Sequence, residues 1–116
     1  MQMRRRPRER RASARKPVTW AGRCGTNSRP EWEWRPCTVE DVSHGGARLT
    51  TDNAVDVRVG NLIGISVERL GDTTVGIKLR GQVRHVVAQG TGFSVGVKLD
   101  FASPQERRIA EMLFAG

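Results

Sequence analysis

The chain of 116 residues suits one domain core and not two, and its 37% hydrophobic and 28% charged residues are those of a packed protein, not of a disordered one. The formal charge of +8 is unevenly spread, because residues 1–16 hold seven arginines and one lysine against the single acid Glu9, leaving the other hundred residues nearly neutral at +1; anion recognition is therefore expected at one end. No apolar run approaches the roughly 18 to 20 residues of a membrane span, the basic start leads into no signal-type apolar segment, and Cys24 and Cys37 are too few for a disulfide framework and lack zinc-site spacing, so a cytoplasmic chain with free thiols, no metal, no cofactor and no membrane insertion is expected.

In chain order, residues 1–15 read as a basic arm and residues 16–116 as one all-β domain. Weak strand signals lie around Pro17 to Gly22, from Trp34 to Val42 and from Ala47 to Thr51. The stretch between the first two, Arg23 to Trp34, is long and polar, and Trp32 and Trp34 two residues apart share one face. They suit the core, with an exposed partner-binding ridge as the alternative. Stronger signals follow. Ile63, Ile65 and Val67 alternate with polar or small residues, as do Val75, Ile77, Leu79, Gly81 and Val83, and then Phe93, Val95, Val97, Leu99 and Phe101. A period of two with one apolar face marks half-buried antiparallel strands. Gly45-Gly46, Leu70-Gly71-Asp72 and Gln89-Gly90-Thr91-Gly92 separate strand-like stretches as hairpin turns would. A helix is expected over about 103–114, because Ser103-Pro104-Gln105-Glu106 reads as a cap with proline at the first helical position, and Ile109, Met112 and Leu113 form a stripe at helical spacing.

Two clusters carry the chemistry. In Arg10-Arg11-Ala12-Ser13-Ala14-Arg15, the offset of four puts Arg11 and Arg15 on one face of either a helix or an extended chain. A guanidinium fork grips phosphate bidentately, binds guanine O6 and N7, or stacks on a base. A solvated basic tail is the plainer alternative for this stretch. In Asp41-Val42-Ser43-His44-Gly45-Gly46, Asp41 and Ser43 share a strand face while Val42 points the other way. A carboxylate there can accept from a guanine N1 and N2 edge, and glycine allows close backbone approach. A plain Asx or Ser turn remains the competing explanation.

Together, Arg-x-x-x-Arg at Arg11 and Arg15 and Asp-x-Ser-x-x-Gly at Asp41, Ser43 and Gly46 resemble the paired signature of the PilZ family. Gly81-Gln82-Val83-Arg84 and the run from Phe93 to Phe101 resemble later strands of that family, so the likeness spans about Arg10 to Phe114. The resemblance implies a six-stranded antiparallel β-barrel with a C-terminal helix that binds cyclic di-GMP as a receptor. It also implies roles: Arg11 and Arg15 as the clamp with Arg10 auxiliary, Asp41, Ser43 and Gly46 as a base-facing wall, and Arg6, Arg8, Gly45 and His85 as secondary contacts. His85 either stacks on the ligand or is an ordinary exposed strand histidine.

An arm carrying +7 repels itself until anions neutralise it, so it is expected to fold over the ligand and signal to an unidentified protein partner. The rival is a nucleic-acid-binding module whose arm tracks phosphates, distinguishable by steep salt dependence and weak base preference. Enzymatic activity is not expected. Asp41, Ser43 and His44 hold the letters of a hydrolase triad, but neighbouring strand residues point to opposite faces and cannot converge.

Overall fold

A computed structural model describes residues 16–28, 32–43, 45–52 and 56–101, with positions 104, 105, 107, 108 and 112 beyond them. Six antiparallel strands make up the fold: β1 (Lys16–Thr26), β2 (Arg35–Ser43), β3 (Gly46–Asp52), β4 (Leu62–Leu70), β5 (Thr73–Gln89) and β6 (Gly92–Asp100). Pairing runs β1-β2-β3-β6-β5-β4 and returns from β4 to β1, so the sheet closes into a barrel and leaves no edge strand.

Alternation in the sequence explains the interior. Ile63, Ile65 and Val67 on β4, Leu79 and Val83 on β5, and Val95, Val97 and Leu99 on β6 are buried, and Trp20, Cys24, Val39, Val42 and Leu49 complete the core from the first three strands. Gly71 and Gly90 turn the β4–β5 and β5–β6 hairpins with φ of 62° and 60°, a region that side chains with a Cβ disfavour. Cys24 and Cys37 are free thiols inside the barrel. The two sulfurs interact, and hydrogen bonding to Cys37 together with burial pushes the Cys24 thiol well above its ordinary pKa.

Two expectations change. Arg23 to Thr26 are not part of a polar link but the second half of β1, with Cys24 and Thr26 buried. Trp32 and Trp34 are not core residues: they precede β2 and are 39% and 42% exposed. The barrel interior is already filled by strand side chains, and a separate slot takes the indoles outside it. Gly25 and Gly64 face each other across β1 and β4. A Cβ on Gly64 would lie 2.8 Å from Trp34 Cη2 and 3.5 Å from Trp32 Cζ3, so the missing side chain makes room for both rings.

No helix is among the described elements. Helical backbone is recorded at Pro104, Gln105, Arg107, Arg108 and Met112, with the Arg107 guanidinium 5.3 Å from the centre of the Phe101 ring, and the remainder of the expected 103–114 helix lies outside the described residues. Among the described residues, no helix is long and apolar enough to cross a membrane, and no group of three His, Cys, Asp or Glu residues could hold a metal ion.

Candidate functional site

The turn between β2 and β3 forms one wall of a groove of about 510 Å³ that continues across β3, β6 and β5. Its shape follows from strand order. Gly46 pairs with Lys98 and Arg48 with Gly96 across β3 and β6, while His85 pairs with Gly96 and Gln82 with Lys98 across β6 and β5. Residues far apart in sequence thus form one row across three strands.

Glycines lower the floor. A Cβ on Gly46 would lie 3.1 Å from the Val97 carbonyl oxygen and 3.6 Å from Ser43 Oγ, and one on Gly96 would meet His85 Cδ2 at 3.2 Å. The His85 ring therefore lies against a strip of bare backbone. The Gly45 carbonyl accepts a hydrogen bond from the Leu99 amide at 2.8 Å, which pins the turn against β6.

Register shifts then direct charge outward. On β5, the partners step from Val83↔Val97 to His85↔Gly96, so Arg84 is an extra residue, and Arg84 and His85 are both exposed in succession. A bulge of this kind re-aims side chains that strict alternation would separate. Arg48, Arg84 and Lys98 stand around the groove, and none of the described residues lining it is acidic. An anion with a planar face is the natural complement of such a lining.

Asp41 stands beside this groove. A second shift, between Val39 and Asp41, makes Glu40 the extra residue of β2 and turns both acids toward Arg48. Arg48 Nε donates to Asp41 Oδ2 at 2.9 Å and Nη1 donates to Glu40 Oε1 at 3.2 Å, while Thr50 Oγ1 donates to Glu40 Oε2 at 3.1 Å. The Asp41 carboxylate raises the Arg48 pKa above its ordinary value by accepting that hydrogen bond. With 13% of its side chain exposed, Asp41 is held in one orientation at the groove's edge.

Of the residues expected to bind, Ser43, Gly45, Gly46 and His85 line the same groove, and Asp41 adjoins it through Arg48. Arg6, Arg8, Arg10, Arg11 and Arg15 lie outside the described residues, as does His44. Val42 is fully buried, as its opposite phase to Asp41 and Ser43 requires. Arg48, Arg84 and Lys98 were not singled out from the sequence. Arg84 and Lys98 occupy outward positions of clearly alternating strands, but only the β3-β6-β5 order brings them together.

The chain enters the barrel at this place. Lys16, the first residue of β1, pairs with Val42, and Pro17 pairs with Asp41. The family model of the PilZ domain matches residues 4–115, essentially the whole chain. The chain belongs to the PilZ domain family. PilZ domains are receptor modules for cyclic di-GMP and generally not enzymes, and the match points to no catalytic family. Among curated proteins, none matches the chain.

Proposed function

We propose that this PilZ domain is itself a cyclic di-GMP receptor, with the ligand held in the groove of β3, β6 and β5 under the β2–β3 turn. Arg11 and Arg15 clamp the phosphates and guanines, assisted by Arg10 and, further out, Arg6 and Arg8. Asp41, Ser43 and Gly46 face a base, with Gly45 and His85 at its margin. The observation that carries this reading is the register of β1 on β2, because Lys16 sits opposite Val42. One peptide bond separates Lys16 from Arg15, and consecutive Cα atoms are about 3.8 Å apart. The arginine motif thus begins one residue from the acidic-hydroxyl turn, beside a groove walled by three further cations.

The energetics are sufficient. Hydrogen bonds to charged groups contribute about 1.5 to 3 kcal/mol each, and micromolar affinity needs about 8 kcal/mol beyond ordering costs. Four or five good contacts reach that range. Arg48 holds Asp41 in place beforehand, which lowers the ordering cost at the base edge.

The arm, residues 1–15, then folds over the bound dinucleotide, and the changed surface signals to a protein partner in the cytoplasm. Two guanine edges and two phosphates distinguish this ligand from a nucleic-acid backbone, so base selectivity decides the matter. Calorimetry at moderate salt with cyclic di-GMP, cyclic di-AMP and GMP is the test, repeated with Arg11→Ala and Asp41→Ala. Each variant is expected to lose at least about tenfold in affinity for cyclic di-GMP, or roughly 1.4 kcal/mol, with an unchanged circular dichroism spectrum. Equal binding of the two cyclic dinucleotides, or full affinity in both variants, overturns the reading. Amide exchange over residues 4–15 is expected to slow on ligand addition, and unchanged protection there removes the arm-ordering step.

A further inference from the structure

A second groove, of about 430 Å³, opens between the tryptophan pair and strands β4 and β5, with Leu62, Lys78, Arg80 and Asp100 at its margins. It shares no lining residue with the groove under the β2–β3 turn. Trp32 and Trp34 stand together on one side, ring centres 6.2 Å apart and planes tilted by 30°. Leu62, 49% exposed, lines the same groove. Three of the six exposed large hydrophobics among the described residues thus share one place, where scattered single residues would be unremarkable.

The charges around this apolar centre are of both signs. Glu33, between the two tryptophans, and Lys78, on the β5 side, are both exposed, and neither forms an ion pair among the described residues. A partner of one net sign would satisfy only half of this rim. A patch carrying a ridge, an adjacent groove, an unpaired acid and an unpaired base is complementary to itself, which is what a two-fold interface requires.

We infer that the Trp32–Trp34 ridge and its groove form the contact surface for a second copy of this chain. The indole pair of one protomer enters the β4–β5 groove of the other, and Glu33 of each meets Lys78 of its mate. Tryptophan anchors with a charged rim supply both affinity and register in such contacts. The surface is separate from the nucleotide groove, so this association is independent of the receptor reading.

Sedimentation equilibrium of the full chain without nucleotide, from about 1 µM to about 1 mM, is the test. A monomer–dimer transition is expected in that window. Trp32→Ala should raise the dimer dissociation constant at least about tenfold, and Lys78→Glu should raise it as well by setting two acids against each other. Glu33→Lys combined with Lys78→Glu should restore association, because the pair is then reversed but still complementary. Trp32 is the chosen anchor because Trp34 lies closer over Gly64 and its loss would disturb the barrel wall. Circular dichroism and thermal melts accompany each variant, and the charge variants keep the test decisive if Trp32→Ala is unstable. A monomer at every concentration, which would leave the ridge to a different protein, overturns the inference. So does a dimer indifferent to Lys78→Glu, or one that the double charge reversal fails to restore.

Discussion

The two grooves of this barrel use opposite means of recognition. One is floored by glycine, carries Arg48, Arg84 and Lys98, and has no acid among the described residues that line it. The other is walled by two tryptophans and has charges of both signs around an apolar centre. The first concentrates positive potential and suits a small dianion, so its affinity should fall with salt. The second gains from area removed from water and should depend weakly on salt. A closed sheet can hold two such surfaces because its outside is free to vary once the inside is filled.

The comparison breaks most completely at the backbone that both surfaces share. A Cβ on Gly81 would sit 2.1 Å from the Lys98 carbonyl oxygen and 2.8 Å from Val97 Cγ1, and the first of these is backbone that cannot yield without disturbing the β5–β6 pairing. Gly81→Val is expected to cost about 3 kcal/mol or more in urea denaturation and to impair both surfaces together. A variant of wild-type stability would show that the two strands are less tightly apposed.

Smaller changes should separate the surfaces. Arg84→Ala and Lys98→Ala are each expected to weaken cyclic di-GMP binding about tenfold, close to 1.4 kcal/mol, by calorimetry, while leaving sedimentation unchanged. Trp32→Ala should do the reverse, and a variant that altered both readouts would mean the grooves communicate.

Arg48→Ala sharpens the first groove alone. The Arg48 side chain is largely solvent-accessible, so loss of its ion pairs with Asp41 and Glu40 should change thermal stability by less than about 1 kcal/mol. Its effect should appear instead as weaker discrimination of cyclic di-GMP from cyclic di-AMP, since Asp41 would no longer be oriented. Unchanged discrimination would remove Arg48 as a positioning residue.

The smallest effect is expected at the thiols. Cys24 and Cys37 face the interior, away from both grooves, and Cys24 is held in its protonated form by its raised pKa. Thiol labelling should proceed only as fast as the barrel unfolds, with or without nucleotide, and rapid labelling of the native chain would contradict the burial described.

Much of the fold was legible because strand alternation is local. β4, the first half of β5 and β6 can be read directly from Ile63 to Val67, Val75 to Val83 and Phe93 to Leu99, and each hairpin turn falls at its glycines. The second half of β5 was not legible, because the extra residue at Arg84 reverses the phase: Val83 is buried, Val86 packs on the core, and His85 and Val87 face out. The tryptophans were misplaced for a related reason. Their spacing of two indicates a shared face, but the slot that receives them depends on Gly25 and Gly64 meeting across β1 and β4, a pairing invisible to local pattern.

At the site, short motifs carried Asp41, Ser43, Gly46 and the turn between them. Arg48 escaped because its hold on Asp41 arises from a cross-strand register and a bulge at Glu40. Arg84 and Lys98 escaped because nothing in their own strands announces that β6 lies between β3 and β5.

The extra residue on β5 has a consequence for how such a chain can change. Lys78 to Gly81 line one groove and Arg84, His85 and Val87 the other, with the irregularity between them setting the phase of the second relative to the first. Deleting the single codon for Arg84 would leave the tryptophan side in frame and turn the nucleotide side over, sending His85 inward and Val86 out. One microdeletion could thus silence one binding face of the barrel while sparing the other, a route to divergence that point substitutions would reach only in several steps.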